Sequence, residues 1–577
     1  VVFNTSGEGF NESCKTLQRR VATLALAYNI FGGEDYALRA YTEMKRACNL
    51  SEWPPRTFLG VAEMCTGLAF GYDWLYHWLN EDQRALIRKS LITKGLDVVM
   101  LDYKQELPED ARSYFWASVT VGENWQFVCT GGTNLAALAI GDENGARDIS
   151  AKVLDYGFKR AYTSTRLAYS MIDGSYAEGL GYWDYATYYL GFQSSALMSA
   201  TGTDYGLADY EGLKKSINFV RGMSSNTSMS FSFGDDGASR NTGWFVFLWL
   251  GEYFNAPSLI DLRIRNRKQD DMGFRYQDVL WFQEVGQIGS DPFFDSLDWG
   301  GANYSNASFR STWNSSGLVA ALHLGENDYK HHGHYDLGSF YLEYNGTRFF
   351  TDLGNEKDYD LYQRQFSYRI QSEGHNTLVI NPSTGIQQKE FANCVVNEFR
   401  SGNEAYAITD LTDAYGPSGA SKVTRGLKMI KDKECVIIQD EISLKTAGEI
   451  YWFAQVETSK NNISIAADGK SAIITKNNER LWVGLINSDG VFTVMDAKPL
   501  SSSYQVSGIE STDAYKKLAV HLTNTKDTTI MVACIPLKNG QTSPSWKPSL
   551  LPLSEWATGS CVNPTPTPTP TPTPKPT

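Results

Sequence analysis

The hydrophobic pattern of the chain changes once, close to residue 288. Up to that point apolar residues recur at three- and four-residue spacing, which is the period of amphipathic helices. The clearest stretches of this kind are residues 19–33, 36–49, 56–79, 81–100, 133–141 and 181–202. Many of them stop near Gly or Asn, as helix C-caps do. Serial helices without intervening strands predict a helical bundle or an (α/α) toroid over residues 1–288.

Beyond residue 288 the apolar segments become short and rich in β-branched and aromatic residues. Several alternate with period two, and Gly, Asn or Asp separates them, which is typical of antiparallel strands. The segments are residues 316–325, 338–354, 375–382, 405–411, 426–443, 449–457, 471–478 and 481–487. They predict sandwich-like antiparallel sheets over residues 289–560, which makes the fold an α+β multidomain one. The boundary between two such domains is where an active site is expected.

Residues 561–577 consist almost entirely of alternating Pro and Thr. Such tracts stay extended and act as semi-rigid spacers between modules. We therefore expect a linker stub, a further module beyond it, and a secreted, modular parent protein.

Composition excludes several classes of function. Hydrophobic residues make up 42% and charged residues 20% of the chain, as in ordinary globular proteins. The formal net charge of −13 argues against non-specific nucleic-acid binding, which needs a basic field. No run of about 18 apolar residues exists, so no membrane span is expected. The eight cysteines contain no CxxC pair, which argues against a cysteine-based zinc site, and an exported protein could pair some of them as disulfides.

Histidine is scarce, with seven in the chain, yet three of them stand in "HHGHYD" at residues 331–336. If this segment enters a strand, His332, His334 and Asp336 share one face and His331 takes the other. An i, i+2 pair of histidines suits two ligands of one zinc ion, with a third ligand from elsewhere. Candidates for that third ligand are Asp336, Asp352 and His375. Solvated or core histidines are the alternative interpretation.

A tyrosine series lies within "DGSYAEGLGYWDYATYYLGF", which begins at Asp173. On a helix, Tyr182, Tyr185 and Tyr189 fall at i, i+3 and i+7 and share a face. The simpler interpretation is an aromatic core stripe. The functional interpretation is a sugar platform with one catalytic phenol.

A third motif, "GENWQFVCTGG", places Asn124 and Trp125 before a Gly-Gly pair and a helical pattern. Asn124 can cap that helix, which is the structural interpretation. It can also donate hydrogen bonds to a substrate carboxylate.

Together these stretches resemble the heparinase II/III-like polysaccharide lyases. The matching segments are "NWQFVCTGG", "DGSYAEGLGYWDYATYY", "GDDG" at residues 234–237, "HHGHYDLGSFYLEYNGTRFFTDLG" and "YRIQSEGHNTLVINP". The resemblance implies an (α/α) toroid joined to antiparallel β-sheets, with the substrate in the cleft between them. It also implies β-elimination on uronic-acid polysaccharides of the glycosaminoglycan or alginate type.

The resemblance assigns roles to individual residues of this chain. Tyr182 matches a catalytic tyrosine, His332 a catalytic histidine, and Asn124 the position that neutralises the uronate carboxylate. The ligands of a structural zinc ion are matched by His334, Asp352 and His375. Predicted substrate contacts are Trp125, Tyr185, Tyr189, Arg364 and Arg369. His331 receives no role.

One position departs from the family pattern. Some relatives carry a second histidine in or beside the "NW" segment, where this chain has Trp125 and Gln126. This departure counts against epimers that need a base on the opposite face of the sugar. Together with a sequence pI of about 5.2, it favours lightly sulfated or unsulfated polymers.

Three other functions compete with a lyase. A toroid glycoside hydrolase needs two carboxylates flanking the scissile bond. Candidates for such a pair are Asp173, Glu178, Asp235 and Asp236. A non-catalytic carbohydrate-binding protein and a zinc hydrolase are the remaining alternatives.

Overall fold

The computed structural model divides the chain into two compact units. The residues it describes are 1–4, 7–56, 58–111, 116, 122–227, 229–236, 244–269, 275–282, 296–328, 332–356, 364–458, 462–506, 510–538 and 540–559. The first unit comprises Val1–Ser224, Ser228–Ser230 and Arg240–Ser296, and the second comprises Ser225–Thr227, Phe231–Ser239 and Leu297–Thr577. The boundary predicted near residue 288 and the linker predicted at 561–577 lie outside the described residues.

The first unit is helical, as the sequence pattern predicts. Its α-helices are α1 (Gly7–Phe31), α2 (Glu34–Cys48), α3 (Leu59–Trp74), α4 (Glu81–Leu91), α5 (Asp97–Tyr103), α6 (Asn124–Ile140), α7 (Arg147–Ala168), α8 (Leu180–Thr201), α9 (Glu211–Gly222), α10 (Val246–Tyr253), α11 (Pro257–Gln269) and α12 (Tyr276–Leu280). Local hydrogen bonds fix where some of these helices begin. Helix α4 begins with a capping box in which the Asn80 side chain accepts from Gln83 N and the Gln83 side chain accepts from Asn80 N.

Helices α1, α3, α6 and α8 pack on one another in series, while α2 and α7 pack outside them. In α3, 13 of 16 residues are buried, and in α6, 14 of 17 are buried, as expected for helices enclosed on all sides. The two helices approach closely at Gly132, where a Cβ would lie 2.3 Å from the Ala62 carbonyl oxygen. Helix α12 returns to α1, where Gln18 Nε2 donates to the Tyr276 hydroxyl. Paired inner and outer helices in series are the architecture of an (α/α) toroid.

The second unit is built from antiparallel strands. They are β1 (Asp298–Trp299), β2 (Asn306–Arg310), β3 (Leu318–His323), β4 (Gly325–Glu326), β5 (Phe340–Tyr344), β6 (Thr347–Phe350), β7 (Leu378–Ile380), β8 (Asn393–Cys394), β9 (Val396–Arg400), β10 (Glu404–Asp410), β11 (Ala420–Ile430), β12 (Cys435–Glu457), β13 (Ile463–Ile465), β14 (Ser471–Lys476), β15 (Glu479–Leu485), β16 (Phe492–Asp496) and β17 (Tyr515–Pro536). A short helix, α13 (Thr412–Tyr415), lies between β10 and β11.

Among the described residues these strands form two main sheets and one small one. The smaller main sheet has the order β1-β2-β3-β5-β6. The larger has the order β13-β14-β15-β17-β12-β11-β10-β9, with β16 beside β17 and β7 beside β12. Strands β4 and β8 pair separately.

One apolar core joins the two main sheets. Phe309, Leu322 and Phe340 of the smaller sheet belong to the same buried cluster as Leu427 and Trp452 of the larger. The rings of Phe340 and Trp452 stack with centroids 5.5 Å apart. Two sheets that bury one common core form a β-sandwich, so the predicted C-terminal fold class is confirmed.

The seven described cysteines are all buried. They are Cys14, Cys48, Cys65, Cys129, Cys394, Cys435 and Cys534. Throughout the described ranges, no helix has the length and apolar character needed to cross a lipid bilayer.

Candidate active site and metal centre

The described part of the histidine segment, residues 332–336, is a loop, so the strand considered for it does not form there, and β5 begins only at Phe340. His332 has φ +69°, a left-handed conformation that an extended strand cannot contain. The loop is held by Gly333 N, which donates to Asp328 O at 2.9 Å, and by Tyr335 N, which donates to Ile370 O at 2.9 Å. His331 lies outside the described residues.

Asp235, in the "GDDG" turn of the same unit, joins the two described histidines of this loop. Its Oδ2 lies 2.8 Å from His332 Nδ1, and its Oδ1 lies 3.1 Å from His334 Nε2. Arg364 Nη2 lies 2.5 Å from Asp235 Oδ2. Burial alone would raise the pKa of Asp235, but the hydrogen bonds from His332 and His334 outweigh it and hold that pKa well below its usual range. The Asp235 carboxylate is therefore ionised.

The backbone of the "GDDG" turn also binds the histidine loop. Asp235 N donates to His332 O at 2.7 Å, and Gly234 N donates to Asp336 Oδ2 at 3.3 Å. Gly234 has φ +58°, and a Cβ there would lie 2.3 Å from His332 O. Only glycine therefore allows the turn to lie against the loop at this distance.

A second group of side chains has the geometry of a metal site. Each of His334, Asp336 and His375 has a ligand atom within 4.8 Å of those of the other two, and all three residues are buried. The rings of His334 and His375 lie with centroids 5.2 Å apart. Two histidines and one carboxylate form a common zinc set.

The predicted ligand Asp352 has a different position from Asp336. Its Oδ2 lies 2.7 Å from His375 Nδ1, and its Oδ1 accepts from Gly354 N at 2.7 Å. A carboxylate that accepts from the far nitrogen of a ligand histidine fixes the orientation of that ring. The structure thus gathers the predicted His334 and His375 with Asp336, and places Asp352 behind His375.

The free ring nitrogens fit a metal ion. His334 Nδ1 and His375 Nε2 are buried and have no hydrogen-bond partner among the described residues. Burial lowers the pKa of His334, which favours the neutral ring that a metal requires. For His375, burial acts in the same direction, but the Asp352 carboxylate outweighs it and raises the pKa. Buried ring nitrogens without partners are costly unless a ligand occupies them.

Asn124 is the first residue of α6 and is buried, with 1% of its surface exposed. Its backbone N–H donates to Glu178 Oε2 at 2.6 Å, and its Nδ2 donates to Glu178 Oε1 at 2.8 Å. The side chain therefore does not cap the helix. Glu178 therefore fixes the orientation of the Asn124 amide. Because the two residues are 54 positions apart, the sequence alone does not reveal this contact.

Of the three tyrosines in the series, only Tyr182 remains a candidate for a catalytic role. Tyr182 is half-buried in the first turn of α8. Tyr189 is fully buried, and its hydroxyl lies 3.2 Å from Thr66 Oγ1, so the predicted substrate contact is replaced by core packing. The half-buried Tyr185 donates to Glu63 Oε1 at 2.6 Å, and burial raises its pKa well above the ordinary value.

The predicted arginine contacts are occupied by protein groups. Arg364 is 5% exposed and pairs with Asp235, while Arg369 is 7% exposed. Arg369 Nη2 donates to Ser511 O at 3.2 Å and lies 3.4 Å from Glu510 Oε2. In this structure both guanidiniums are bound by groups of the second unit. Trp125 is half-buried against the apolar core of the first unit.

Arg425 supports the site from the larger sheet, a role that sequence reasoning missed. It forms a fully buried, bidentate pair with Asp440, with N–O distances of 2.7 and 2.8 Å. Its Nη1 donates to Gly338 O at 2.6 Å and to Asn376 O at 3.1 Å. Gly338 follows the histidine loop and Asn376 follows His375, so one guanidinium holds both segments.

Residues 318–546 match the family model described as heparinase II/III-like, C-terminal. Over these residues the chain is similar to that domain family. The match confirms the family resemblance predicted from the sequence motifs. The heparinase II/III-like domain contains His332, His334, Asp352 and His375, whereas the tyrosine and asparagine motifs precede it.

Solved structures share the fold of this chain. Heparinase III matches with a TM-score of 0.65 and 16% identity, over 92% of this chain and 78% of that one. The heparan sulfate lyase HepC from Pedobacter heparinus matches with a TM-score of 0.61 and 15% identity, over 93% of this chain and 78% of that one. A Paenibacillus xanthan lyase matches with a TM-score of 0.55 and 11% identity, over 93% of this chain and 54% of that one. No curated protein sequence matches this chain.

Proposed function

We propose that this protein is a polysaccharide lyase that cleaves uronic-acid-containing polysaccharides by β-elimination. The observation that carries the proposal is the match of residues 318–546 to the heparinase II/III-like domain, because the His332–His334 loop and His375 lie within it. The fold shared with heparinase III and a xanthan lyase supports the same reaction class. We include export of the protein in the proposal.

The reaction begins at the carbon next to the uronate carboxylate. Its proton is only weakly acidic while the carboxylate carries its full charge, so hydrogen bonds that neutralise this charge stabilise the enolate-like transition state. A preorganised donor of this kind contributes roughly a few kcal/mol. We assign this role to Asn124, whose Nδ2 is oriented by Glu178 at 2.8 Å. An amide nitrogen carries two N–H donors, so the bond to Glu178 uses one of them.

Tyr182 is our candidate for the proton transfers. A tyrosine can remove the proton and then protonate the leaving oxygen when both lie on the same side of the sugar. Because the ordinary pKa of tyrosine is about 10, nearby groups must stabilise the phenolate form at neutral pH. Tyr182 is the third residue of α8, and the N-terminus of a helix stabilises a nearby negative charge by about 0.3–1 kcal/mol.

We assign His332 to the same chemistry, either in neutralising the carboxylate or as the base with Tyr182 as the acid. Its side chain is 32% exposed, whereas that of His334 is fully buried. Of the two histidines bound to Asp235, His332 is therefore the one a substrate can reach.

We further propose a structural zinc ion bound by His334, His375 and the Asp336 carboxylate. Bound there, zinc would supply cross-linking between chain segments. The Asp352 carboxylate would then act by holding His375, at 2.7 Å from its Nδ1. Since His332 lies two residues from His334, the bound zinc ion would also hold the loop that carries the candidate catalytic histidine.

Removal of zinc is expected to destabilise the second unit. A ligand present at about 100 times its Kd stabilises the native state by about 2.7 kcal/mol. For a domain of this size that corresponds to a drop in Tm of roughly 5–10 °C on chelation. Thermal melts with and without chelator, followed by re-addition of zinc, measure this shift. Immediate loss of chemistry at unchanged Tm would contradict a structural role and favour a zinc hydrolase.

Three of the four carboxylates proposed for a hydrolase are engaged elsewhere. Asp173 accepts from Ser175 N at 2.9 Å and from Ser175 Oγ at 2.6 Å. Glu178 accepts twice from Asn124, and Asp235 is bound by two histidines and Arg364. A glycosidase acid needs a raised pKa, whereas the pKa of Asp235 is lowered.

A panel of uronate polymers tests the proposed function. Hyaluronan, chondroitin, heparan sulfate and alginate would each be digested while ultraviolet absorbance is followed. A lyase creates a conjugated, absorbing double bond at the new non-reducing end, and a hydrolase does not. Rising absorbance with at least one polymer is expected. Binding without any product would support the carbohydrate-binding alternative.

A further inference from the structure

Asp235 is placed to control two imidazoles at once. Each of its carboxylate oxygens faces one ring nitrogen, His332 Nδ1 at 2.8 Å and His334 Nε2 at 3.1 Å. We infer that Asp235 is a positioning residue that fixes the tautomers of both rings, so that the candidate catalytic histidine and the candidate zinc ligand depend on one carboxylate. The catalytic half of this inference rests on the proposed function.

The protonation of the two rings follows from the charge of Asp235. An ionised carboxylate can only accept hydrogen bonds. A carboxylate with an arginine beside it, here Arg364 Nη2 at 2.5 Å from Oδ2, is ionised at neutral pH. The nitrogens that face it must therefore carry the protons, so His332 is protonated at Nδ1 and His334 at Nε2.

In the neutral form of each ring, the opposite nitrogen then carries the lone pair. For His334 the lone pair lies on Nδ1, a buried atom that has no hydrogen-bond partner among the described residues, and His334 belongs to the candidate metal set. For a neutral His332 the lone pair lies on Nε2, which is the form that the base, one of the two roles proposed for this ring, requires. In the reverse tautomers, His334 would carry its proton on Nδ1 and His332 on Nε2, so that neither nitrogen could accept a metal ion or a proton.

The carboxylate itself is held in place. Arg364 Nη2 lies 2.5 Å from Oδ2, the same oxygen that faces His332. Asp235 N donates to His332 O at 2.7 Å, which ties the turn to the loop on the backbone side as well. With the side chain of Asp235 only 8% exposed, water competes weakly for these bonds.

The variant Asp235→Asn tests whether Asp235 fixes the tautomers of the two rings or only forms an ion pair. An Asn side chain of the same shape offers one accepting oxygen and one donating NH₂ group. It cannot accept from both histidines, so at least one ring must change tautomer or lose its bond. The matched control is Asp527→Asn, since Asp527 is exposed on β17.

Nitrogen-15 NMR of the histidine rings reads the tautomers directly, and seven histidines keep the spectrum simple. In the wild-type protein, His332 is expected as the Nδ1–H form and His334 as the Nε2–H form. In Asp235→Asn, at least one of these two assignments should change, while Asp527→Asn should match the wild type. An Nε2–H form of His332 in the wild type would overturn the inference, whether or not the variant folds.

Steady-state kinetics at saturating zinc gives a second test of the role of Asp235. Asp235→Asn is expected to lower kcat by at least about 10²-fold while KM changes less than about threefold, because the oriented base is lost. If Asp235 acts through His332, the double variant Asp235→Asn with His332→Ala should be no slower than His332→Ala alone. A further loss of about tenfold or more in the double variant would contradict the inference that Asp235 acts through His332.

The outcomes also separate this inference from the proposed function. If the wild type forms no unsaturated product from any uronate polymer, the lyase proposal fails, but the NMR assignments still decide the tautomers. If product forms and the wild-type tautomers are reversed, the inference fails while the lyase proposal stands.

Discussion

Replacing Tyr182 with Phe is expected to lower kcat for unsaturated-product formation by about 10²–10⁴-fold, because a positioned acid/base group contributes about that much. The ring stays, so the half-buried side chain keeps its packing in the first turn of α8. The rate would be measured by ultraviolet absorbance on the best polymer of the panel. Thermal melts would show that the variant is folded.

Two other tyrosines serve as controls for Tyr182→Phe. Tyr205→Phe removes a hydroxyl from a residue that is 57% exposed, and it should leave both rate and stability unchanged. Tyr189→Phe removes the buried hydroxyl beside Thr66 and should cost about 1 kcal/mol of stability without removing the chemistry. If Tyr182→Phe keeps more than about a tenth of the wild-type kcat, Tyr182 is not the acid/base group.

Replacing Arg425 with Met is expected to lower the free energy of unfolding by about 3–5 kcal/mol, since removal of one partner leaves a buried charge uncompensated. Arg425 and Asp440 are both fully buried. The substitution also deprives Gly338 O and Asn376 O of their donor. Denaturant unfolding of the second unit, followed by its tryptophan fluorescence, would measure the loss.

Arg400→Met is the matched control, because Arg400 is exposed at the end of β9 and should change stability by less than about 0.5 kcal/mol. Replacing Asp440 by Leu in the Arg425→Met background removes the second charge and should restore part of the loss. A loss below about 1 kcal/mol for Arg425→Met alone would show that the pair does not support the site.

Hydrophobic periodicity predicts the two halves of the fold but not the strand boundaries. Residues 426–443, predicted as one strand, contain the end of β11, a turn at Lys431–Lys433 and the start of β12. Strand β12 then runs on to Glu457 through register shifts between Ser443 and Gly448, where a separate strand is predicted. Turns and bulges of this kind depend on pairing with distant strands, which local pattern does not contain.

The candidate site is visible in the sequence only where its residues are close in sequence. The His332–His334 spacing and His375 stand out by residue type. The link to Asp235 spans 97 residues and depends on a left-handed His332, which no periodicity reveals. Tyr189 shares a predicted helix face with Tyr182, but it lies about two turns further along the helix, where the side chain is fully buried, whereas that of Tyr182 is half-buried.

The most direct test of β-elimination is the mass of the products formed in H₂¹⁸O. Elimination breaks the glycosidic bond without adding water, so the products should contain no ¹⁸O from the cleavage and one new end should be lighter than a hydrolysis product by one water. We expect this result with the polymer that the protein cleaves fastest. One ¹⁸O incorporated per bond cleaved, without ultraviolet absorbance, would show a hydrolase and contradict the proposed lyase.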